Sequence, residues 1–472
     1  MDPLRALAKR VEGSGFAGLD TRSTPSDRLG LVTDDGLRAR LERIDGERAA
    51  AHVQALCSAA MGGRLCGTDG EARAAKYLKA VLASQELGPL DEAAGGTESF
   101  EVTVPMLTGE PQLHIQTRDG RREMRHLVDF AVNVQGAAGG GSAEGETVWA
   151  GELTGSSLAD STMENRIVVC STSQRGRPLD PEVGLRAYLE RLSRARQAGA
   201  VGVLQAGGRP DRRKVMNHLR ERPSLVSLDV SGRVVEALFD SRRPTSIGQV
   251  GARATVRVPL RDTPMLSVGN VAARIGTGPL RLLLCAHYDH VGSLTDGRWF
   301  PGAADNASGV SVLLEVARSL SEVGGSDVSG VGFLFTTGEE VGLCGARHFV
   351  QTHADCLRHG VTVVNVDEVA GLPTDPLWLL RSEQFGEELL RAEDRREVGC
   401  RIRVEPLTTG QYADHRVFAE SGVRSVAALF SPALAPDVAH TLSDGANRIV
   451  PDRLAAAARA LLLIVHRLTV RE

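Results

Sequence analysis

The chain has 472 residues, with 55 Lys and Arg against 59 Asp and Glu, a formal net charge of −4, 42% hydrophobic residues and 24% charged ones. Such a chain can bury a large core, which excludes disorder as its overall state, and its near-balanced charge argues against a dedicated nucleic-acid binder. At roughly 150 residues per domain, the length points to about three domains, or fewer where α/β units run long.

The opening stretch MDPLRALAKRVEGSG holds no apolar segment and no small-residue cleavage site of the kind that marks a signal peptide. No uncharged apolar stretch approaches the ~20 residues needed to cross a bilayer. The longest candidate, LAAAARALLLIVHRL near the end, carries Arg and His and reads as a packed helix. These features predict a cytoplasmic protein with no membrane partner, secretion behind a leader being the alternative. The seven cysteines, at 57, 66, 170, 285, 344, 356 and 400, form no CxxC pair and read as reduced, buried thiols.

In chain order, residues 1–44 are polar and uneven and read as an N-terminal surface arm. A helical pattern begins near Gly46, and a second, EARAAKYLKAVLAS, follows the turn GTDG, where Thr68 or Asp69 can cap it. Alternating ESFEVTVP and LHIQ read as strands. From about residue 130 the texture changes to Gly-rich GAAGGGSAEG and short strand-like runs, ETVWAG, RIVVCS, VGVLQ, LVSLDV and ATVRVPL, around one amphipathic helix, PEVGLRAYLERLSRARQAG. The basic stretch RPDRRKVMNHLRER in this unit lacks interleaved aromatics, so it reads as a solvated loop and helix face rather than a nucleic-acid patch. Past Asp262, near-continuous apolar strands alternate with helices: LRLLLCAHYDH, SGVSVLLEVARSL, VGFLFTTGEE, CGARHFVQT and VTVVNVDEVAG. That alternation predicts an α/β fold with a mixed, mostly parallel sheet covered on both faces.

Five features fall at or beyond the ends of apolar runs, where open α/β sheets place their ligands. LLLCAHYDHVG supplies His287, an imidazole suited to zinc, and Asp289, a carboxylate able to orient it. PGAADNASG supplies Asp305, which is either the N-cap of the following helix or a carboxylate whose two oxygens bridge two metals. TTGEE sets Glu339 beside Glu340; two acids share a site comfortably when a cation neutralises one and the other holds a proton. In VTVVNVDEVAG, Asp367 closes a buried strand, where an unpaired carboxylate would be costly, and AHTLSD adds His440 and Asp444. Together they form a ligand set suited to two zinc ions sharing one Asp. Cys344 stands near this set, but the acids already fill it, so a small buried thiol is the reading.

On these residues the chain resembles the co-catalytic di-zinc aminopeptidase family over most of its length from about residue 45. The resemblance implies a three-layer α/β/α exopeptidase domain built from residues 45–130 and 262–472, interrupted over 131–261 by a β-rich domain similar to the protease-associated domain. RIVVCS and ARQAGAVGVLQ are the segments most like it. It implies that His287 and Asp367 hold one zinc and Glu340 and His440 the other, with Asp305 bridging, so that two Zn2+ ions serve one chain. Glu339 would be the general base and Asp289 the orienting carboxylate, with a cis peptide between Asp305 and Asn306. ADHRVF around Asp414 and His415 matches a motif near the family's substrate pocket. The chain departs from many members at Ala439, where a Tyr is common, and at Glu368 and Ala370, positions that bear on pocket shape. The implied activity is hydrolysis of the N-terminal bond of a peptide. A carboxypeptidase, an amidase on a small metabolite, a glutaminyl-cyclase-like acyl transferase and a non-catalytic binding protein of transferrin-receptor type are the alternatives.

Overall fold

A computed structural model describes residues 34–469, except 92–94, 135–137, 154–158, 172–180, 216–224, 243, 326–327, 359, 386–388, 390–396, 408–412 and 432–433. The runs LLLCAH, VGFLFT, TVVNV and SVAALF are apolar on both sides of the pleat and become strands Leu282–His287, Val331–Thr336, Thr362–Val366 and Ser425–Phe430. These four pair in parallel at the centre of a nine-stranded sheet. Leu266–Ile275 joins antiparallel beside Val331–Thr336, and Leu377–Arg381 joins antiparallel beside Ser425–Phe430.

Successive residues of these strands feed opposite layers, as the two-residue period of a strand requires. Leu282, Leu284 and Ala286 pack into one core with helices Gly46–Leu56, Ser308–Val323 and Pro451–Thr469. Leu283 and Cys285 pack into the other with Phe349 of helix Cys344–Thr352 and Phe418 of helix Asp414–Glu420. The result is the expected α/β/α arrangement. LAAAARALLLIVHRL lies inside the buried helix Pro451–Thr469, and no described helix is long and apolar enough to cross a membrane. All seven cysteines are free thiols.

Two expected caps behave differently. Thr68 does cap helix Asp69–Ser84, its hydroxyl accepting the Glu71 amide at 3.4 Å. Asp305 is not an N-cap: helix Ser308–Val323 starts from Ala307 without a side-chain cap. The region expected as a surface arm is helical at its end. Asp34–Glu42 is a helix whose Leu41 is buried and whose Arg40 carbonyl accepts the Ser319 hydroxyl at 2.7 Å. Residues 1–33 lie outside the described residues.

A second sheet of ten strands is drawn from Gln112–Thr117 through Val250–Val258. LHIQ, read from the sequence as part of the first unit, belongs to this sheet, pairing antiparallel with Val250–Val258. Ile167–Ser171, Gly202–Ala206 and Leu225–Val230 run parallel at its centre, and Tyr188 and Leu192 of helix Pro181–Gln197 cover one face.

Candidate metal centre

The parallel strands end on one edge of the nine-stranded sheet, and the polar residues gather there. His287 is the last residue of its strand and lies in register with Thr336. Two residues past Thr336 the chain turns at Gly338 and presents Glu339 and Glu340, while Asp367 directly follows Thr362–Val366. Asp305 comes from the loop before helix Ser308–Val323, and the peptide between Asp305 and Asn306 is cis, as expected. Buried Arg64 ties two of these loops together, donating to the carbonyls of Tyr288 at 2.8 Å, Pro301 at 2.7 Å and Gly302 at 2.9 Å. Gly302 adopts φ +62°, and a Cβ there would lie 2.5 Å from the His290 ring, so the loop can close only over glycine.

The side chains form two groups that share Asp305. In one, His287 Nε2 lies 3.3 Å from both Asp305 Oδ1 and Asp367 Oδ1. In the other, His440 Nε2 lies 3.0 Å from Asp305 Oδ2 and 2.9 Å from Glu340 Oε2, and His290 Nδ1 lies 2.7 Å from Glu340 Oε1. The two oxygens of Asp305 thus face opposite groups. Asp289 is fully buried and accepts the Glu339 amide at 3.2 Å and the Glu340 amide at 3.3 Å, with His287 Nδ1 3.6 Å away. Asp444 accepts the Ala304 amide at 2.8 Å and the Asp305 amide at 3.2 Å, fixing the bridging acid from behind.

The electrostatics of this cluster call for a cation. His440 Nδ1 lies 3.0 Å from the Arg213 carbonyl, which only accepts, so Nδ1 carries the proton and Nε2 offers a lone pair toward two carboxylates. Three electron-rich atoms converging out of water require a proton or a metal ion between them. Asp367 Oδ1, buried, accepts no hydrogen bond. Burial alone would lower the His287 and His440 pKa values. The facing carboxylates, Asp367 foremost for His287 and Glu340 for His440, outweigh burial and hold both well above the usual range. Burial would raise Asp305 and Glu340, yet the histidines hold Asp305 well below its ordinary value and Glu340 at about 2. Burial, reinforced by the charges of Glu340, Asp414 and Asp367, pushes Glu339 well above the ordinary carboxyl range, with His287 opposing.

All seven residues singled out from the sequence, His287, Asp289, Asp305, Glu339, Glu340, Asp367 and His440, converge here. His290 was passed over, although it stands in the same AHYDH run and its buried ring meets Glu340. Asp414 and His415 are buried. Asp414 accepts the Thr336 hydroxyl, and burial pushes its carboxyl up to about 7. One expectation is overturned. In the basic stretch read as solvated, Arg213 is buried and its backbone meets His440; residues 216–222 of that stretch lie outside the described residues.

Comparison with known proteins converges on the same region. The profile of Peptidase family M28 matches residues 270–465. The chain is 30% identical over 198 residues to aminopeptidase YwaD of Bacillus subtilis, covering 40% of this chain and 41% of that protein. It is 31% identical over 108 residues to the alkaline phosphatase isozyme conversion protein of Escherichia coli, covering 21% of this chain and 31% of that one. The matches therefore span well under two thirds of these curated relatives. Among solved structures, an aminopeptidase from Aneurinibacillus sp. strain AM-1 superposes with a TM-score of 0.64 at 18% identity, covering 91% of this chain and 95% of that one. The zinc aminopeptidase BSAP from Bacillus subtilis gives 0.63 at 21%, covering 90% and 95%. At these identities the likeness is one of fold.

Proposed function

We propose that this chain, whose residues 270–465 match the profile of Peptidase family M28, is a zinc-dependent exopeptidase that removes N-terminal residues from peptides. The observation that carries this reading is the pair of buried ligand groups sharing the two oxygens of Asp305, with Glu339 beside them. His287 and Asp367 would hold one zinc, and Glu340 and His440 the other, with Asp305 between them. Tetrahedral zinc favours such nitrogen and carboxylate donors. His290, hydrogen-bonded to Glu340, serves to hold that carboxylate. Bound there, the ions would supply Lewis acidity and lower the pKa of an attacking water.

The chain's own residues do the rest. Glu339 takes a proton from the water and delivers it to the leaving amine, a task suited to a carboxyl with raised affinity for protons. Asp289 sets the direction of Glu339 and Glu340 through their amides. A free substrate α-amine would sit against this acidic cluster, where the buried Glu368 carboxyl beside Asp305 and Asp367 can accept its hydrogen bond, which favours N-terminal residues. The same reading takes residues 131–261 as a protease-associated-like insertion, supported by the parallel strands at the centre of the second sheet.

The test is metal analysis of the purified chain together with free and N-acetylated amino-acid anilides and short peptides. Two equivalents of zinc and cleavage of free-amine substrates alone are expected. Cleavage confined to acylated substrates or to C-terminal residues would replace the aminopeptidase with an amidase or carboxypeptidase on the same site. Absence of metal binding would remove the reading altogether.

A further inference from the structure

The second sheet meets the metal centre through the segment between strands Gly202–Ala206 and Lys214–Val215. Arg213 and His440, 227 residues apart, exchange two hydrogen bonds: the Arg213 amide donates to the His440 carbonyl at 3.0 Å, and His440 Nδ1 donates to the Arg213 carbonyl at 3.0 Å. Arg213 is itself anchored. Its guanidinium donates to the Ser293 carbonyl at 2.8 Å and sits 5.9 Å from the centre of the Phe300 ring. Four residues earlier, Arg209 donates to the Asp437 carbonyl at 2.9 Å, pinning the start of the turn that carries His440. His440 has φ +61°, a left-handed conformation that non-glycine residues hold only where their surroundings impose it.

We propose that residues 209–213 are a positioning clamp for His440, so that the second unit completes the metal site rather than merely standing beside it. The proposal rests on reading the site as a zinc centre. The clamp does two things that plain packing would not. It fixes the His440 backbone in an otherwise unfavourable conformation, and it assigns the proton to Nδ1, leaving Nε2 as the ligand atom facing Asp305 and Glu340. Arg213 and Arg209 act through His440 and touch no reacting atom.

Zinc affinity of the full-length chain, measured by competition with a chelating indicator, tests this in the wild type, R213A, R213K and R209A. Loss of a partner that orients a ligand typically costs about 10–100-fold in metal affinity. R213A keeps the backbone groups that meet His440 but loses the Ser293 contact that anchors them, so one of its two zinc equivalents should bind more weakly, by up to about 10–100-fold, and the other should be unchanged. R213K, which can still donate to Ser293, should recover part of that loss, and R209A should show a smaller, several-fold loss. Cobalt substituted into R213A should show an altered visible absorption, since one imidazole is held less firmly against the ion. A purely structural Arg213 would lower the melting temperature and leave affinity and spectrum alone. R213A and R209A that are both folded and bind both equivalents within twofold of the wild type overturn the clamp while the zinc reading stands. If R213A does not fold, R209A decides in the same way. A wild type that takes up no zinc removes both.

Discussion

Adjacent glutamates in one buried site are driven apart in acidity by what each one faces. Burial would raise both. Glu340 meets His440 and His290 and drops to about 2, whereas Glu339 meets mostly other acids and rises well above the usual range. Carboxyl pairs split in this way divide the labour of ligand and acid–base group. Glu339→Gln keeps the shape of the side chain but cannot exchange a proton. Its kcat should fall by about 10²–10⁴, the usual contribution of a positioned general base, while zinc content stays at the wild-type level. Glu340→Ala should instead lose part of its zinc, because a ligand is gone. Steady-state kinetics beside metal analysis separate the two effects, and an E339Q enzyme turning over at the wild-type rate would exclude Glu339 as the base.

At the scale of elements, a single amide sets the helix that follows Asp305 against the strand that leads to Asp367. Asn306 Oδ1 accepts the amides of Gly309 at 2.9 Å and Glu368 at 3.1 Å, and its Nδ2 donates to the Val366 carbonyl at 3.0 Å. A Cβ on Gly309 would lie 2.4 Å from both Asn306 Oδ1 and the Val366 carbonyl. Gly309→Ala should therefore destabilise the chain by about 1–3 kcal/mol through overpacking and weaken zinc binding, because the displaced Asn306 carries Asp305 with it. Gly88→Ala, with open space around its Cβ, should change neither; calorimetry and metal titration of both variants check this. A second element contact predicts a pH effect. His52 of helix Gly46–Leu56 lies 2.6 Å from the Tyr77 hydroxyl of helix Asp69–Ser84, and burial, aided by Arg48, lowers its pKa to about 4. The unfolded chain then binds the proton more readily than the folded one. Stability is complete above the unfolded value near 6.5 and falls as pH drops toward 4, by up to roughly 3 kcal/mol for this group. His52→Leu should lose less melting temperature between pH 7 and pH 4.5 than the wild type does; an equal loss in both would clear His52 of the effect. Much of this architecture was legible because it is written locally. A central parallel strand is one unbroken apolar run, and the residue that ends it is displayed at the ligand edge, so His287, Glu339, Glu340 and Asp367 could be picked out in turn. Arg213 and the backing role of Asp444 could not. The contact of Arg213 with His440 and that of Asp444 with Asp305 join segments 227 and 139 residues apart. No period or spacing records such a contact, and a run of arginines looks solvated until its neighbours are known.

Across the whole molecule, the informative charge is the buried cluster rather than the net −4. Asp305, Glu340 and Asp367 are buried together with His287 and His290 at the junction of several chain segments, with His440 half-exposed at its rim, so the metal state should report on global stability. Without metal, His287 and His440 have pKa values raised above the unfolded value. Their contribution is complete below about 6.5 and is lost as pH rises through the folded values. Glu339, Asp367 and Glu368 are also raised, chiefly by burial, so the folded chain holds their protons more tightly and loses stability as pH rises. Asp305 and Glu340, held low, are ionised throughout the range from pH 5.5 to 8 and add no slope there. These five groups of the metal-free cluster therefore act in the same direction. Metal binding runs the other way, since its ligands must be deprotonated and affinity grows with pH. Groups remote from the site, such as His52, titrate alike in both forms and cancel in the difference. The gap in melting temperature between zinc-loaded and chelator-treated protein should widen steadily from pH 5.5 to pH 8. Scanning calorimetry of both forms at matched ionic strength measures it, and a gap that stays constant or narrows over that range would mean that the cluster does not bind the metal.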